Sequence, residues 1–432
     1  MGNFLGTEKE EPPPPVVLVP PLFDFPPLAA RTRMLEPSYD LLFGKLALRC
    51  LFEDYFEQAG QFSTKLMLKP IDDPHVDLVA TVSGPLDRKS QEKIVGNALF
   101  RWQRNLDDPH TFMDLFVSNS DPALRLRSCA YYPQYGVGAF SSFPLMLRKR
   151  IHSEDYGFMG LRYGSEKLSI GTTMVPLPLA AEFPRSAWVV AKFGMLNVGM
   201  QYKPHVYNKQ GVEADVASRF KDLKNYSWAI GYGSGTSSPL TPSFNFGLEL
   251  ANTSKLIASF YQHVVVQRRV KNPLEGDDIV GITNYIDVGF ELETRADGSE
   301  LSKSTEDSTF RVGASWQTNK NFLVKGKLGP RGSSIALAFK SWWKPSLSFS
   351  ITAVRDRVSG KTALGVNFGI EDLREASYQR ADPNYIMLTP NKEHLAESII
   401  KHIGVRPMFK SDIDSGNFDN LPRDLKPMGK IL

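Results

Sequence analysis

The 432-residue sequence has few of the groups on which metal sites and most enzyme centres depend. Its two cysteines, Cys50 and Cys129, are too few for a disulfide framework or for a zinc site built from several cysteines. The seven histidines are scattered, and none forms an HExxH motif or another metal-ligand spacing. A GxSxG nucleophile motif and a phosphate-binding loop are also absent from the sequence. We therefore expect no metal, no cofactor and no enzymatic activity.

The sequence also lacks an excess of charge and long apolar runs. Its 51 Lys and Arg residues against 47 Asp and Glu residues leave a net charge of +4, without the dense basic patches typical of nucleic-acid binding. No stretch approaches the roughly 18 consecutive apolar residues of a transmembrane helix. These observations do not exclude a membrane β-barrel, because the alternating strands of such a barrel have a weak hydropathy signal.

The periodicity of apolar residues changes along the chain and predicts four regions. A helix is expected to begin with Ser38 as its N-cap and to end at Gly60, with apolar residues over more than half of its circumference. Such a helix has to be buried. The predicted regions are a Pro-rich flexible arm (1–36), an amphipathic helix in a lumen (37–60), a β-barrel (61–371) and a polar tail (372–432) with a short helix at 391–404.

Between residues 61 and 371 the apolar residues alternate with a period of two, which is typical of β-strands. Strands are expected at His75–Ser83, Leu196–Lys203, Ser227–Gly233, Ser243–Ala251 and Tyr285–Glu293. Five more follow one another through short turns, which makes neighbours antiparallel, at Thr309–Gln317, Phe322–Leu328, Ser333–Trp342, Ser346–Val354 and Lys361–Glu371. With weaker repeats included, the region holds about 14–19 strands.

Three features favour a membrane barrel over a soluble sheet. A meander this long has two open edges unless it closes, and its strands of about 7–11 residues suit a bilayer. The polar face is rich in small residues such as Ser348, Ser350, Gly365 and Asn367. Six tryptophans lie near expected strand ends, as in aromatic girdles: Trp102, Trp188, Trp228, Trp316, Trp342 and Trp343. The fold class is therefore all-β, a large antiparallel up-and-down transmembrane β-barrel with the N-terminal helix in or near its lumen. A soluble sandwich or a lipid-binding clamshell is the alternative.

This combination of a helix, a long meander and no transmembrane helix resembles the voltage-dependent anion channels, the organellar porins. The last strand is similar to the family's sorting signal at Gly365, Phe368 and Ile370, although Ala363 stands where the family has a polar residue. The resemblance implies the mitochondrial outer membrane, with membrane lipids, ions or small metabolites, and the organelle β-barrel assembly machinery as partners. The Pro-rich start and the residues after the last strand look more like plant organelle-envelope barrels, so the chloroplast outer envelope is the alternative location.

Charged residues on the polar faces of the strands are the candidates for ion selectivity, because a charge facing lipid costs about 2–4 kcal/mol at the bilayer midplane. Rings of such charges in a lumen set ion preference. Six cations and four anions slightly favour anions, unless these groups only pair across strands or with the helix. A lipid-binding or lipid-transfer barrel and a non-conducting barrel scaffold are the alternative functions. The candidates are Arg125, Arg127, Glu249, Asp287, Glu291, Glu293, Arg311, Lys325, Lys327 and Lys340.

Overall fold

The structure is a computed structural model, and it describes part of the chain. The tail 372–432 with its expected helix at 391–404 lies outside the described residues, as does the Pro-rich arm apart from two short pieces. The described residues are 16–18, 34–53, 60–68, 70, 72–73, 75–86, 93–105, 110–120, 123–146, 157–175, 185–204, 220, 222–234, 241–271, 278–295, 308–319, 321–330, 332–341 and 346–371.

Nineteen strands form one closed barrel, which confirms the all-β barrel at the upper end of the expected strand number. Neighbouring strands are antiparallel, except that the last strand pairs in parallel with the first. This parallel seam is a consequence of the odd number, because the first and last strands of an up-and-down meander then run in the same direction. The strands are β1 Gln61–Leu68, β2 Val76–Pro85, β3 Val95–Gln103, β4 Phe112–Ser118, β5 Leu124–Tyr132, β6 Val137–Met146, β7 Phe158–Gly164, β8 Leu168–Met174, β9 Ser186–Phe193, β10 Leu196–Tyr202, β11 Tyr226–Gly233, β12 Ser243–Ala251, β13 Lys255–Lys271, β14 Asp278–Arg295, β15 Ser308–Gln317, β16 Phe322–Leu328, β17 Gly332–Ser341, β18 Ser346–Asp356 and β19 Thr362–Glu371.

Most expected strands coincide with observed ones to within a few residues, and those at Ser243–Ala251 and Phe322–Leu328 match at both ends. The largest difference is the hairpin of β13 and β14, whose strands contain 17 and 18 residues. The sequence pattern indicated only the part of β14 at Tyr285–Glu293. The rest of the hairpin extends past the neighbouring strands, and a short parallel strand at Val16–Leu18 pairs with it at Val280–Ile282.

The pairing register shows that the apolar face of the sheet points outwards. Gly247, Gly289 and Gly313 lie directly under the lumen helices, so they and their cross-strand partners define the inner face. Among strand residues whose side chains the structure describes, Arg355 near the end of β18 is the one charged residue on the outer face. Exposed Leu, Ile, Val, Phe and Trp side chains cover the outer face on strand after strand.

Two short helices lie inside the barrel, α1 at Ser38–Leu41 and α2 at Lys45–Phe52. The prediction of one continuous helix was wrong, because Phe43 and Gly44 have φ angles of 61° and 77°, which break the helical path. The predicted N-cap was also wrong. Pro37 is the N-cap, and Ser38 is instead the first helical residue. Phe52 rather than Gly60 ends α2. No helix among the described residues is both long and apolar enough to cross a membrane.

An apolar cluster lies inside the barrel, on the wall formed by β4 to β11. Met34, Tyr39 and Phe43 of the chain that enters the lumen pack there against wall residues that include Phe140 and Trp188. Trp188 is 1% exposed and lies over Gly171, so its expected place in an aromatic girdle was wrong. Trp102, Trp228 and Trp316 do lie on the outer face, at 38%, 48% and 50% exposure, and Trp342 and Trp343 are outside the described residues.

Candidate functional site

The lumen wall carries glycines where the helices approach it. A Cβ at Gly247 would lie 2.8 Å from the backbone oxygen of Phe43, and a Cβ at Gly199 would lie 2.7 Å from the Phe43 ring. Gly289 and Gly313 are in the same relation to the leucines of α2, with Leu48 2.6 Å from the Cβ position of Gly289. Side chains at these positions would displace the helices. The glycines therefore form a smooth surface across β10, β12, β14 and β15 on which α1, the break and α2 lie.

Polar contacts hold α1 and the start of α2. The Ser38 hydroxyl accepts from Arg162 Nη2 at 2.9 Å and from Ser169 Oγ at 2.8 Å, and all three residues are buried. Glu249 on β12 accepts from the Tyr39 hydroxyl at 3.0 Å and from Lys45 Nζ at 2.8 Å. Burial, followed by the charge of Glu249 and the hydrogen bond to it, raises the pKa of Tyr39 above its ordinary value. Tyr39 therefore remains a donor at neutral pH.

Two lysines of β16 bind the C-terminal end of α2. Lys325 Nζ donates to the backbone oxygen of Cys50 at 2.5 Å and to that of Glu53, and Lys327 Nζ donates to the oxygen of Phe52 at 2.8 Å. The last carbonyls of a helix have no partners within the helix and carry partial negative charge, so cations are favourable there. These two candidate selectivity residues thus act as a cap for the helix.

The other acidic candidates are also paired. Asp287 accepts from the Tyr261 hydroxyl at 2.8 Å and lies 2.6 Å from His263 Nδ1. Glu291 pairs with Arg311, whose guanidinium carbon lies 5.1 Å from the centre of the Phe52 ring. Glu293 pairs with Lys255 at 2.6 Å. Seven of the ten candidates therefore bind the helices or a neighbouring strand. This is the alternative to ion selectivity, in which the charges pair across strands or with the helix.

A second charged region lies on β3, β4 and β5. Arg101, Asp114 and Arg127 are direct neighbours across the three strands, and Arg101 Nε lies 3.6 Å from Asp114 Oδ1. Arg125 is on the same face, opposite Phe116. Among the described strand residues of β2 to β5, this face carries three arginines, at 101, 125 and 127, and the carboxylates of Asp77 and Asp114, so one positive charge is in excess on this side of the lumen.

Lys340, the last cationic candidate, is on the inner face of β17 with 8% of its surface exposed. Its backbone is bound on both sides by Asn321, which accepts from Lys340 N at 2.9 Å and donates to Lys340 O at 2.7 Å. Lys340 lies on the strand next to β16, whose lysines bind α2, and on a different part of the wall from the arginines of β3 and β5.

A cleft of about 450 Å³ opens beside α2, along the wall of β12 to β15. Lys45, Arg49 and Arg311 line it together with Glu249, Glu291 and Glu293. The cleft therefore contains both signs of charge in similar number. The 3.6-residue period of the helix gave no indication of this cleft, because it forms only where the helix meets the strands.

The lumen is much wider than one helix. Nineteen strands spaced about 4.8 Å apart and tilted by roughly 40° enclose a backbone diameter of roughly 38 Å. A helix with its side chains is about 10–12 Å across. The described helices lie on one wall, against β9, β10 and β14 to β16, and so fill only part of this cross-section.

The residues that resemble a sorting signal are on the strand that closes the barrel. Gly365 faces the lumen, whereas Phe368 and Ile370 are on the outer face of β19. The parallel seam pairs β19 with β1 from Phe62↔Val366 to Leu66↔Ile370. Phe368 and Ile370 therefore belong to the seam itself, and Gly365 directly precedes it.

Comparison of the sequence with models of known protein families gave no match, and neither did comparison with curated proteins. Among the residues that the structure describes, no three His, Cys, Asp or Glu side chains are grouped so that they could hold a metal ion.

Proposed function

We propose that this protein is a β-barrel of an organelle outer membrane. The observation that carries the proposal is the distribution of side chains on the two faces of the sheet. Apolar side chains are exposed on the outer face, whereas the charges, with the exception of Arg355, are on the inner face of the described strands. A monomeric soluble protein rarely exposes apolar patches of more than a few hundred Å². In a bilayer the same surface lies in lipid.

The width of the lumen supports a porin-like channel for ions or small metabolites. In this proposal the passage lies beside the two described helices, where the inner faces of the strands carry Ser, Thr, Asn and charged side chains, which suit hydrated solutes. The arginines at 125 and 127 favour anions over cations in this passage. Barrels of 16 to 18 strands leave aqueous channels, and a 19-strand barrel is at least as wide.

Two other proposed functions have less support than the channel. A lipid carrier needs an apolar cavity, and the apolar wall around Phe140 and Trp188 is already covered by Met34, Tyr39 and Phe43. A lipid would have to displace these side chains. A scaffold without conductance is compatible with the barrel, and it differs from the channel only in the bilayer experiment below.

The resemblance to organellar porins favours the mitochondrial outer membrane, with the chloroplast outer envelope as the alternative. Membrane lipids and the organelle β-barrel assembly machinery are then partners during insertion. Neither partner needs a site in the lumen.

Carbonate extraction of organelle membranes, with imaging of a tagged chain, tests the membrane and the organelle together. We expect the chain to stay in the carbonate-resistant pellet. Ile230→Arg, on the outer face of β11, should lower that share, because an arginine facing lipid costs about 2–4 kcal/mol. Thr81→Arg, on the inner face of β2, is the matched control and should leave it unchanged. Release of the wild-type chain would end the membrane proposal.

Purified protein in planar bilayers then tests conduction. Stepwise currents are expected for a channel. A carbonate-resistant barrel that gives no current at any voltage would be a scaffold, and a barrel that extracts labelled lipid from vesicles would be a carrier.

A further inference from the structure

The hairpin of β13 and β14 is longer than the barrel wall. Pairing with β12 stops at Ser243↔His263, and pairing with β15 stops at Tyr285↔Gln317. The two strands continue to pair with each other as far as Lys271↔Asp278. At about 3.3 Å per residue and a tilt of roughly 40°, this extension projects roughly 20 Å beyond the neighbouring strands. It leaves one edge of β14 without β15.

The chain's own Val16–Leu18 takes that edge. Val16, Val17 and Leu18 pair in parallel with Val280, Gly281 and Ile282. The segment thus adds a strand where the barrel's own neighbour has ended. This is the mode in which an extended peptide binds an exposed sheet edge.

The same stretch of chain is fixed again at Gly60. Gly60 N donates to Leu364 O at 2.9 Å on β19, and Gly60 O accepts from Leu86 N at 2.7 Å at the end of β2. Gly60 directly precedes β1, so it lies at the rim where the odd-numbered strands begin. β14 runs in the opposite direction, so its start at Val280–Ile282 lies at the other rim. The two attachments are at opposite ends of the barrel.

Between the two attachments the chain lies on the lumen wall. Ser38, Lys45 and the C-terminal end of α2 are bound by Arg162, Glu249, and the lysines at 325 and 327, as described above. In chain order, the described pieces thus lie at one rim (Val16–Leu18), on the lumen wall (α1 and α2) and at the other rim (Gly60).

We propose that the attachments at Val16–Leu18 and at Gly60 act together as a strap, fixed at both rims, that keeps the two helices on the wall of the lumen. A segment with one free end gains the conformational entropy of that end when it leaves its site. A segment tied at both ends remains a closed loop and gains less. The Val16–Leu18 pairing thus opposes detachment of helices that it does not touch.

The strap itself does not depend on conduction, so its test does not use current. In a Cys50→Ser, Cys129→Ser background, Val17→Cys with Gly281→Cys should form a disulfide on mild oxidation. Paired Cα atoms of neighbouring strands are about 5 Å apart, within the range for a disulfide. Val17→Cys with Tyr132→Cys is the matched control, since β5 ends at the same rim but nine strands away. Equal yields for the two pairs, or no disulfide in either, would overturn the rim attachment.

The holding role is tested with the native Cys50 thiol on α2, after Cys129→Ser has removed the other cysteine. Val17→Pro removes a backbone N–H from the short strand and is expected to disrupt its pairing. We expect a several-fold faster reaction of Cys50 with a water-soluble maleimide. Leu5→Pro, in the arm but outside the paired segment, should not change the rate. An unchanged rate in Val17→Pro would show that the attachment does not hold the helices. A disulfide without bilayer current would instead leave the strap intact and contradict the channel.

Discussion

At the scale of single residues, packing in the lumen of this barrel depends on glycines, which have no side chain, as much as on larger residues. Gly199, Gly231 and Gly247 let the backbone around Phe43 approach the wall to contact distance. These glycines were visible in the sequence as part of the small-residue face. The alternating pattern predicted which face of the sheet these glycines are on. Only the folded barrel shows that the segment packed against them is the break at Phe43.

Gly247→Val should weaken the seating of the helices. Its Cβ would lie 2.8 Å from the Phe43 backbone oxygen, which has no rotamer with which to avoid it. We expect the free energy of unfolding to fall by about 1–3 kcal/mol, the usual cost of overpacking. Thermal unfolding in detergent, followed by circular dichroism, measures this. Gly96→Val is the control, because no atom lies within 4 Å of the Cβ position there. Equal losses in both variants would contradict the glycine surface.

The two lysines of β16 show how a residue's role depends on its neighbour. From the sequence, Lys325 and Lys327 were indistinguishable from other lumen cations. In the structure their ammonium groups bind the last carbonyls of α2. Sequence spacing could not reveal this, because Lys325 and its partner Cys50 are 275 positions apart in the chain.

Replacing both lysines, Lys325→Met with Lys327→Met, should loosen α2 while leaving the barrel closed. Each cation at a helix C-terminus contributes about 0.3–1 kcal/mol, and the carbonyls left without donors add to the loss. Hydrogen exchange at the amides of Leu48 to Phe52 should become several-fold faster. Lys65→Met, an exposed inner-face lysine on β1, should leave those amides unchanged. Slow exchange in the double variant would mean that packing alone holds the helix.

At the scale of elements, the last strand has two roles that can be separated. β19 closes the barrel through its parallel seam with β1, and its Phe368 and Ile370 point outwards like other apolar side chains. The likeness to a sorting signal predicts that these two positions matter more than their contribution to the outer face requires.

Phe368→Ser with Ile370→Ser should therefore reduce insertion into isolated organelles several-fold, measured as the carbonate-resistant fraction after import. Phe290→Ser with Leu292→Ser is the matched control, since it removes two apolar side chains from the outer face of β14. If both pairs reduce insertion equally, β19 carries no special signal and only apolar surface has been lost.

The helix region was the element least well predicted. The apolar residues between Ser38 and Phe52 indicated a buried helix, and the structure places them in the lumen. The break at Phe43 and Gly44 was missed, because a positive φ at phenylalanine has no sequence signal. It is stabilised by the fit of the Phe43 ring over Gly199 and Gly231, which are far away in the sequence.

At the scale of the whole molecule, charge differs between the two sides of the lumen. The side under the helices carries paired acids and bases, whereas on the side formed by β2 to β5 the described arginines at 101, 125 and 127 outnumber the carboxylates of Asp77 and Asp114. In the proposed channel, this second side therefore presents net positive charge to an ion.

Arg125→Glu with Arg127→Glu should shift the ion selectivity of the proposed channel toward cations. The change replaces two positive charges with two negative ones on the inner face, where charge sets ion preference. The reversal potential in a planar bilayer under a KCl gradient measures the shift. Arg355→Glu, on the outer face, is the control and should leave selectivity unchanged. An unaltered reversal potential in the double variant would exclude these arginines from the conducting path.

The sequence by itself determined the class of the fold and the face of nearly every strand residue, because a period of two places alternate side chains on opposite faces of a sheet whatever its neighbours are. It also determined that charges would be on the side away from the apolar residues. Closure with nineteen strands, the seam between β1 and β19, the pairing of seven candidate charges and the strap were decided only by the tertiary structure. These features join residues that are distant in the sequence, and alternation within a strand contains no information about which strands, or which helix, lie beside it.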